Sequence, residues 1–153
     1  MDVHPLKDDL PVILHFIDKA GPINSTDGPS TTIIKLAEFC PNFINLNGKT
    51  ALNRAVVWEW LEKRLSFENG SAKKLCKSIE ERLQGQVYIA GNDFTIADVV
   101  LFHCLKPYFC DLTHSERQTQ FVNSCRWFEH IQHTSGIMED SKKIAFLKNN
   151  IYV

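Results

Sequence analysis

Gly91-Asn92-Asp93-Phe94-Thr95-Ile96-Ala97-Asp98-Val99-Val100-Leu101-Phe102 is the stretch from which the rest of the chain becomes readable. Thr95 stands where a helix N-cap is expected, with a hydroxyl able to accept from the N–H of Asp98. The Asp98 carboxylate can reach back to the N–H of Thr95, so two orphan donors are satisfied reciprocally. Aspartate in place of the usual glutamate shortens the reach, and its charge suits the positive end of the helix dipole. Phe94 before the cap and Val99 inside it have the spacing of a hydrophobic staple. Residues 99–105 are apolar nearly all round, which predicts the buried centre of a helical bundle.

Composition narrows the class. At 153 residues, 44% of them hydrophobic and 23% charged, the chain has the make-up of an ordinary globular protein. A net charge of −1 gives no electrostatic case for nucleic acid or a membrane surface. The Lys73-Lys74 and Lys142-Lys143 pairs have acids nearby and read as solvated helix faces. The N-terminus carries no charged-then-apolar leader, and no apolar run approaches a membrane span, so an intracellular protein is expected. The five cysteines form no Cys-x-x-Cys pair. Reduced thiols, mostly in the core, follow.

Along the chain, residues 11–16 (Pro11-Val12-Ile13-Leu14-His15-Phe16) read as a strand, and the Gly-, Pro-, Asn- and Ser-rich run 21–29 as loop or hairpin. A helix is predicted from Ser30 until Pro41 forbids helical geometry at Cys40. Asn47-Gly48 marks a turn, and the connector around it divides an N-terminal α/β part, residues 1–46, from a helical part, residues 47–153. Residues 50–67 form a long helix with rows Leu52-Val56-Trp60 and Val57-Leu61-Leu65. Ser71 caps the next helix, with Leu75, Ile79 and Leu83 inward and Gly85 as its stop. Val87-Tyr88-Ile89 reads as extended. Pro107 is expected to kink or end the central helix, because its ring displaces the carbonyl of His103. Thr113-His114-Ser115-Glu116 repeats the capping box. Asn123 is expected to cap a helix that carries Arg126, Trp127, Phe128 and Ile131 and closes at Gly136. Residues 142–150 make a last helix with Ile144 and Leu147 inward.

Candidate chemistry is sparse. His130 and His133 lie three apart near a helix end, where the dipole favours histidine; a third ligand is lacking and no metal is expected. Cys104 and Cys110 near His103 read as small core residues. No Ser-His-Asp set, Gly-rich phosphate loop or paired carboxylates stand out. Arg126 suits a bidentate contact with a partner's carboxylate or stacking on a flat group; the alternative is an internal salt bridge to Asp111 or Glu129. Trp58 points about 160° away from Trp60 around its helix, so it is surplus to the core and available as an interface anchor.

Gly91-x-x-Phe94-Thr95-x-Ala97-Asp98 before an apolar helix, with Trp60-Leu61-Glu62 upstream and Arg126-Trp127-Phe128 downstream, resembles the helical domain of the glutathione transferase superfamily. Residues 124–133 and the tail Phe146-Leu147-Lys148-Asn149 are similar to the glutathione-transferase-like scaffold subunits of the multi-tRNA-synthetase complex. The resemblance implies a mostly α protein, an abridged thioredoxin-like N-terminal α/β part followed by an all-α bundle, with a cis bond at Pro11. Only ten residues precede Pro11, too few for the strand that bears the catalytic residue. Ser30 matches the serine that holds glutathione in active relatives, but Pro29 replaces its acidic neighbour and a helix cap is the better reading. A non-catalytic adaptor without cofactor is therefore implied, cytoplasmic and also nuclear. Its two docking faces would be the helices begun by Ser30 and Thr50, which include Trp58, and the helix with Asn123, Arg126, Glu129 and His130. By the same resemblance, methionyl-tRNA synthetase meets the first face and glutamyl-prolyl-tRNA synthetase the second. The alternatives are a divergent glutathione-dependent transferase and the related domain of a beta or gamma subunit of elongation factor 1. The tail ending at Val153 favours a stand-alone subunit.

Overall fold

The structure is a computed structural model, and it describes residues 28–38, 45–66 and 72–134. The strand at 11–16, the peptide bond before Pro11, the stop at Pro41, the Ser71 cap, the Gly136 stop and the helix at 142–150 lie outside the described residues. Within them the chain is almost wholly helical: α1 Pro29–Glu38, α2 Ala51–Ser66, α3 Ala72–Arg82, α4 Ile96–Asp111, α5 His114–Thr119 and α6 Val122–Thr134. No helix among the described residues is long and apolar enough to cross a membrane.

The organising stretch is the start of α4, and every residue from Ile96 to Phe102 is buried. α4 packs against α1, α2, α3 and α6, so the helix that is apolar on all sides has neighbours on all sides. Of the two outcomes expected at Pro107, ending the helix does not occur: Pro107 sits inside the helix, which continues to Asp111. Two contacts hold the last turn: the Phe109 ring is fully buried, and Arg117 Nη2 donates to the Phe109 carbonyl at 3.1 Å.

α2 starts where the Thr50 hydroxyl accepts from the N–H of Asn53 at 3.1 Å. Its apolar face is narrower than the two rows suggested. Val57, Trp60 and Leu61 are buried and Val56 half-buried, but Leu52 is 74% exposed. A row spaced by four turns about 40° per step, so Trp60, Val56 and Leu52 climb out of the core in that order. Ahead of α2, Gly48 has φ +107°, and a Cβ there would lie 2.9 Å from the Arg54 nitrogen, so only glycine fits the turn.

Leu75, Ile79 and Leu83 are buried along α3 as their spacing requires. After α3 the chain turns at Gly85, with φ +75°. Residues 87–89 are not an extended run. Tyr88 and Gly91 form an isolated antiparallel bridge, with Tyr88 N–H to Gly91 O at 2.8 Å and the return bond at 3.2 Å. The departure follows from Gly91, whose φ of +130° folds the chain back on itself.

Candidate functional site

Asp98 joins three parts of the fold. Its Oδ2 accepts from the Thr95 N–H at 2.9 Å and the Thr95 hydroxyl at 3.2 Å. Its Oδ1 accepts from the Ile89 N–H at 3.0 Å and the Trp127 indole N–H at 2.9 Å. The capping box is thus closed, with one addition. The Thr95 side chain faces the Asp98 N–H and the Asp98 carboxylate the Thr95 N–H, as the box requires. The addition is that the Thr95 hydroxyl also donates to the carboxylate, while the Asp98 N–H meets the Thr95 carbonyl at 3.1 Å. Asp98 is fully buried, and desolvation raises its pKa even against these donors. Phe94 is half-buried against the core and Val99 fully buried, which leaves the carboxylate under an apolar roof. All four motif residues, Phe94, Thr95, Asp98 and Val99, therefore serve the interior.

The four α6 candidates lie on one helix but do different things. Asn123 is not the cap: α6 begins at Val122, and Asn123 lies in its first turn. The cap comes from α3. Glu80 Oε1 accepts from the Asn123 N–H at 3.0 Å and its side-chain amide at 2.9 Å. Glu80 Oε2 accepts from the Ser124 N–H at 2.7 Å and the Ser124 hydroxyl at 2.8 Å. A carboxylate at the positive end of the dipole replaces a local cap. Arg126 is exposed and makes no salt bridge to Asp111 or Glu129; its Nη2 donates to the carbonyls of Leu83 and Gln86, both at 3.1 Å. It holds α6 to the end of α3. His130 is half-buried, its Nε2 3.0 Å from the Tyr88 hydroxyl, while Glu129 is half-buried and His133 exposed. Trp58 stands apart on α2 and is 38% exposed.

Sequence reasoning missed Glu80, Tyr88 and the Trp127 indole as partners. Each meets its partner at least 29 residues away in sequence, where local spacing carries no signal. Ser30 is not a helix cap either. Pro29 occupies the first helical position and Ser30 lies inside the first turn, 2% exposed, donating its hydroxyl to Glu62 Oε1. Cys76 and Cys125 are buried, and burial pushes both thiols up to about 12. Cys104 is half-buried and Cys110 exposed, so not every thiol is in the core. No group of three metal-binding side chains occurs among the described residues.

Residues 53–135 match the family described as nuclear-export cofactor Arc1p. Eukaryotic translation elongation factor 1 epsilon-1 of Homo sapiens is 35% identical over 85% of this chain and 79% of its own. The Mus musculus protein of the same name is 37% identical over 71% of this chain and 64% of its own. The tRNA-aminoacylation cofactor arc1 of Schizosaccharomyces pombe is 27% identical over 90% of this chain but only 30% of its own. The organising stretch, α6 and all but the first two residues of α2 fall inside the matched region. The chain belongs to the Arc1p family, together with the eukaryotic translation elongation factor 1 epsilon-1 proteins.

Proposed function

We propose that the chain is a non-catalytic adaptor that holds aminoacyl-tRNA synthetases together through glutathione-transferase-like domain pairing. The observation that carries this reading is membership of a family whose relatives are named tRNA-aminoacylation cofactor arc1 and eukaryotic translation elongation factor 1 epsilon-1. The interior supports it. Asp98, the one fully buried carboxylate among the described residues, is spent on four donors of its own fold. Ser30, the position matching a glutathione-holding serine, is buried with its hydroxyl on Glu62.

The two docking faces are α1 with α2, carrying Trp58, and α6, carrying Arg126, Glu129 and His130 with Asn123 at its start. α2 and α6 each pack on α4, which separates them. Methionyl-tRNA synthetase is the partner for the first face and glutamyl-prolyl-tRNA synthetase for the second. No cofactor, metal, nucleic acid or membrane enters the mechanism. The protein acts in the cytoplasm and passes through the nucleus, a reading supported by relatives described as a nuclear-export cofactor. The test immobilises the full chain and offers it the two purified synthetases. Capture of both, with Trp58→Ala weakening the methionyl enzyme alone, supports the adaptor. Capture of neither, or glutathione-dependent turnover of a generic electrophile, overturns it.

A further inference from the structure

The solvent face of α6 carries a charge pattern that no ion pair among the described residues uses. At about 100° per residue, Val122, Arg126, Glu129 and His133 fall within an arc of about 60°. The buried residues of the helix, Ser124, Cys125, Trp127, Phe128, Ile131 and Gln132, occupy the opposite side. Val122 is 52% exposed; Arg126 and His133 are exposed and Glu129 half-buried. Arg126 and Glu129 are one turn apart and of opposite charge, yet form no salt bridge with each other or with any other described residue.

The stripe is self-complementary in charge. Run antiparallel to itself about a two-fold axis between Trp127 and Phe128, it sets Arg126 opposite Glu129 and Val122 opposite His133. Because the axis repeats each contact, two Arg–Glu pairs form at once, which is what an isologous interface requires. Both forks of a guanidinium include Nη2, and Nη2 of Arg126 is committed to the Leu83 and Gln86 carbonyls. Arg126 therefore reaches outward through Nε and Nη1 singly, as a fixed charge rather than a bidentate clamp. That carbonyl seat keeps the charge in place before any partner arrives.

We propose that α6 pairs antiparallel with α6 of a second copy of this chain, so that free adaptor covers its own α6 face until a synthetase displaces the copy. This deepens the adaptor reading at one of its two faces and is tested on the chain alone, so either can fail without the other. The stripe is only about 16 Å long, and exposed ion pairs contribute little each, so the dimer is weak and salt-sensitive. Sedimentation equilibrium of the full chain over a wide concentration range is expected to show a monomer–dimer equilibrium that weakens with added salt. Glu129→Arg and Arg126→Glu each place like charges opposite one another twice and should weaken dimerisation at least about tenfold. An equimolar mixture of the two variants restores opposite charges at both contacts and should dimerise like the parent. Arg126→Glu also loses the bonds to α3; if it fails to fold, Glu129→Arg, which breaks no hydrogen bond given above, carries the test. The pairing is overturned by a parent chain monomeric throughout, by Glu129→Arg dimerising as the parent does, or by a mixture no tighter than its components. A monomeric parent whose capture of a synthetase falls in Glu129→Arg assigns the stripe to the synthetase instead.

Discussion

At Asp98 a single carboxylate answers donors from the preceding turn, its own helix cap and α6. Asp98→Asn keeps the shape but turns an amide toward the two Thr95 donors, and the loss is on the order of 3 kcal/mol. Chemical denaturation checks it; a change within error would show that the node is dispensable. The pH dependence runs against the usual aspartate pattern. Burial raises the folded pKa above the unfolded one, so the folded state takes up the proton first as pH falls. This residue then adds stability on acidification, from its raised folded value down to the ordinary carboxylate range near 3.9. The stability difference between parent and Asp98→Asn should therefore widen in the parent's favour as pH drops through that window. The local half of this node was legible in the sequence, because Thr95 and Asp98 lie three apart; the Ile89 and Trp127 halves were not, because they depend on tertiary approach. The thiols give a second check at this scale. With folded values pushed up to about 12, Cys76 and Cys125 are protonated at neutral pH as well as buried. Iodoacetamide under native conditions should label Cys110 before Cys104 and leave Cys76 and Cys125 until unfolding, as read by peptide mass spectrometry.

Helix ends in this protein are closed by side chains borrowed from other elements. Glu80 caps the start of α6, Arg126 the end of α3, and Arg117 the end of α4. Arg82 does the same for the turn after α3, its Nε donating to the Ile89 carbonyl at 2.8 Å. Such caps tie packing to helix length, which is why sequence signals placed the helices well and their ends poorly. Thr113, which caps through Glu116 three positions on, was legible; Thr50, read as the first residue of a helix, is instead the cap before it. Asn123 was read as a cap because its type suits one, but the carboxylate that does the work lies on another helix. Pro107 was read as a kink or an end because its ring displaces the His103 carbonyl, yet the helix runs on to Asp111, where the buried Phe109 and the Arg117 cap offset that cost. Glu80→Ala strands four donors at the start of α6 and should cost about 2 kcal/mol. Glu80→Gln, which keeps an acceptor, should cost less. Arg126→Ala removes two bonds to carbonyls, one of them part-buried, and should cost about 1–2 kcal/mol whatever its part in binding. Urea unfolding of the three variants, ranked in that way, tests whether these borrowed caps bear on stability.

For the molecule as a whole, the question is whether the seam between residues 46 and 47 separates two folding units. The sequence draws a boundary there from Pro41, Asn47 and Gly48, all of which interrupt regular structure. The contacts run across it. Leu46 is 1% exposed and its carbonyl accepts from the Ile96 N–H at 2.9 Å, at the first residue of α4. The Asn47 side-chain amide donates to the Ile34 carbonyl at 3.0 Å, which fastens the turn to α1. Ser30 reaches Glu62 on α2. Ile33 and Ala37 of α1 belong to the same core as Val57 and Val99. A boundary of sequence character therefore coincides with a shared core, because turn residues report backbone geometry and not what packs on either side. Opening α1 alone would expose Ile33 and Ala37 and leave the Leu61 side of the core uncovered, at a cost close to that of opening the bundle. Native-state hydrogen exchange in rising denaturant should accordingly bring the protected amides of α1 and those of α4 onto one unfolding isotherm. Asn47→Ala, which cuts the link to Ile34, should lower that common isotherm by about 1 kcal/mol without splitting it. If the α1 amides instead exchange through an opening of much lower free energy while α4 stays protected, α1 is a separate unit held loosely on the bundle.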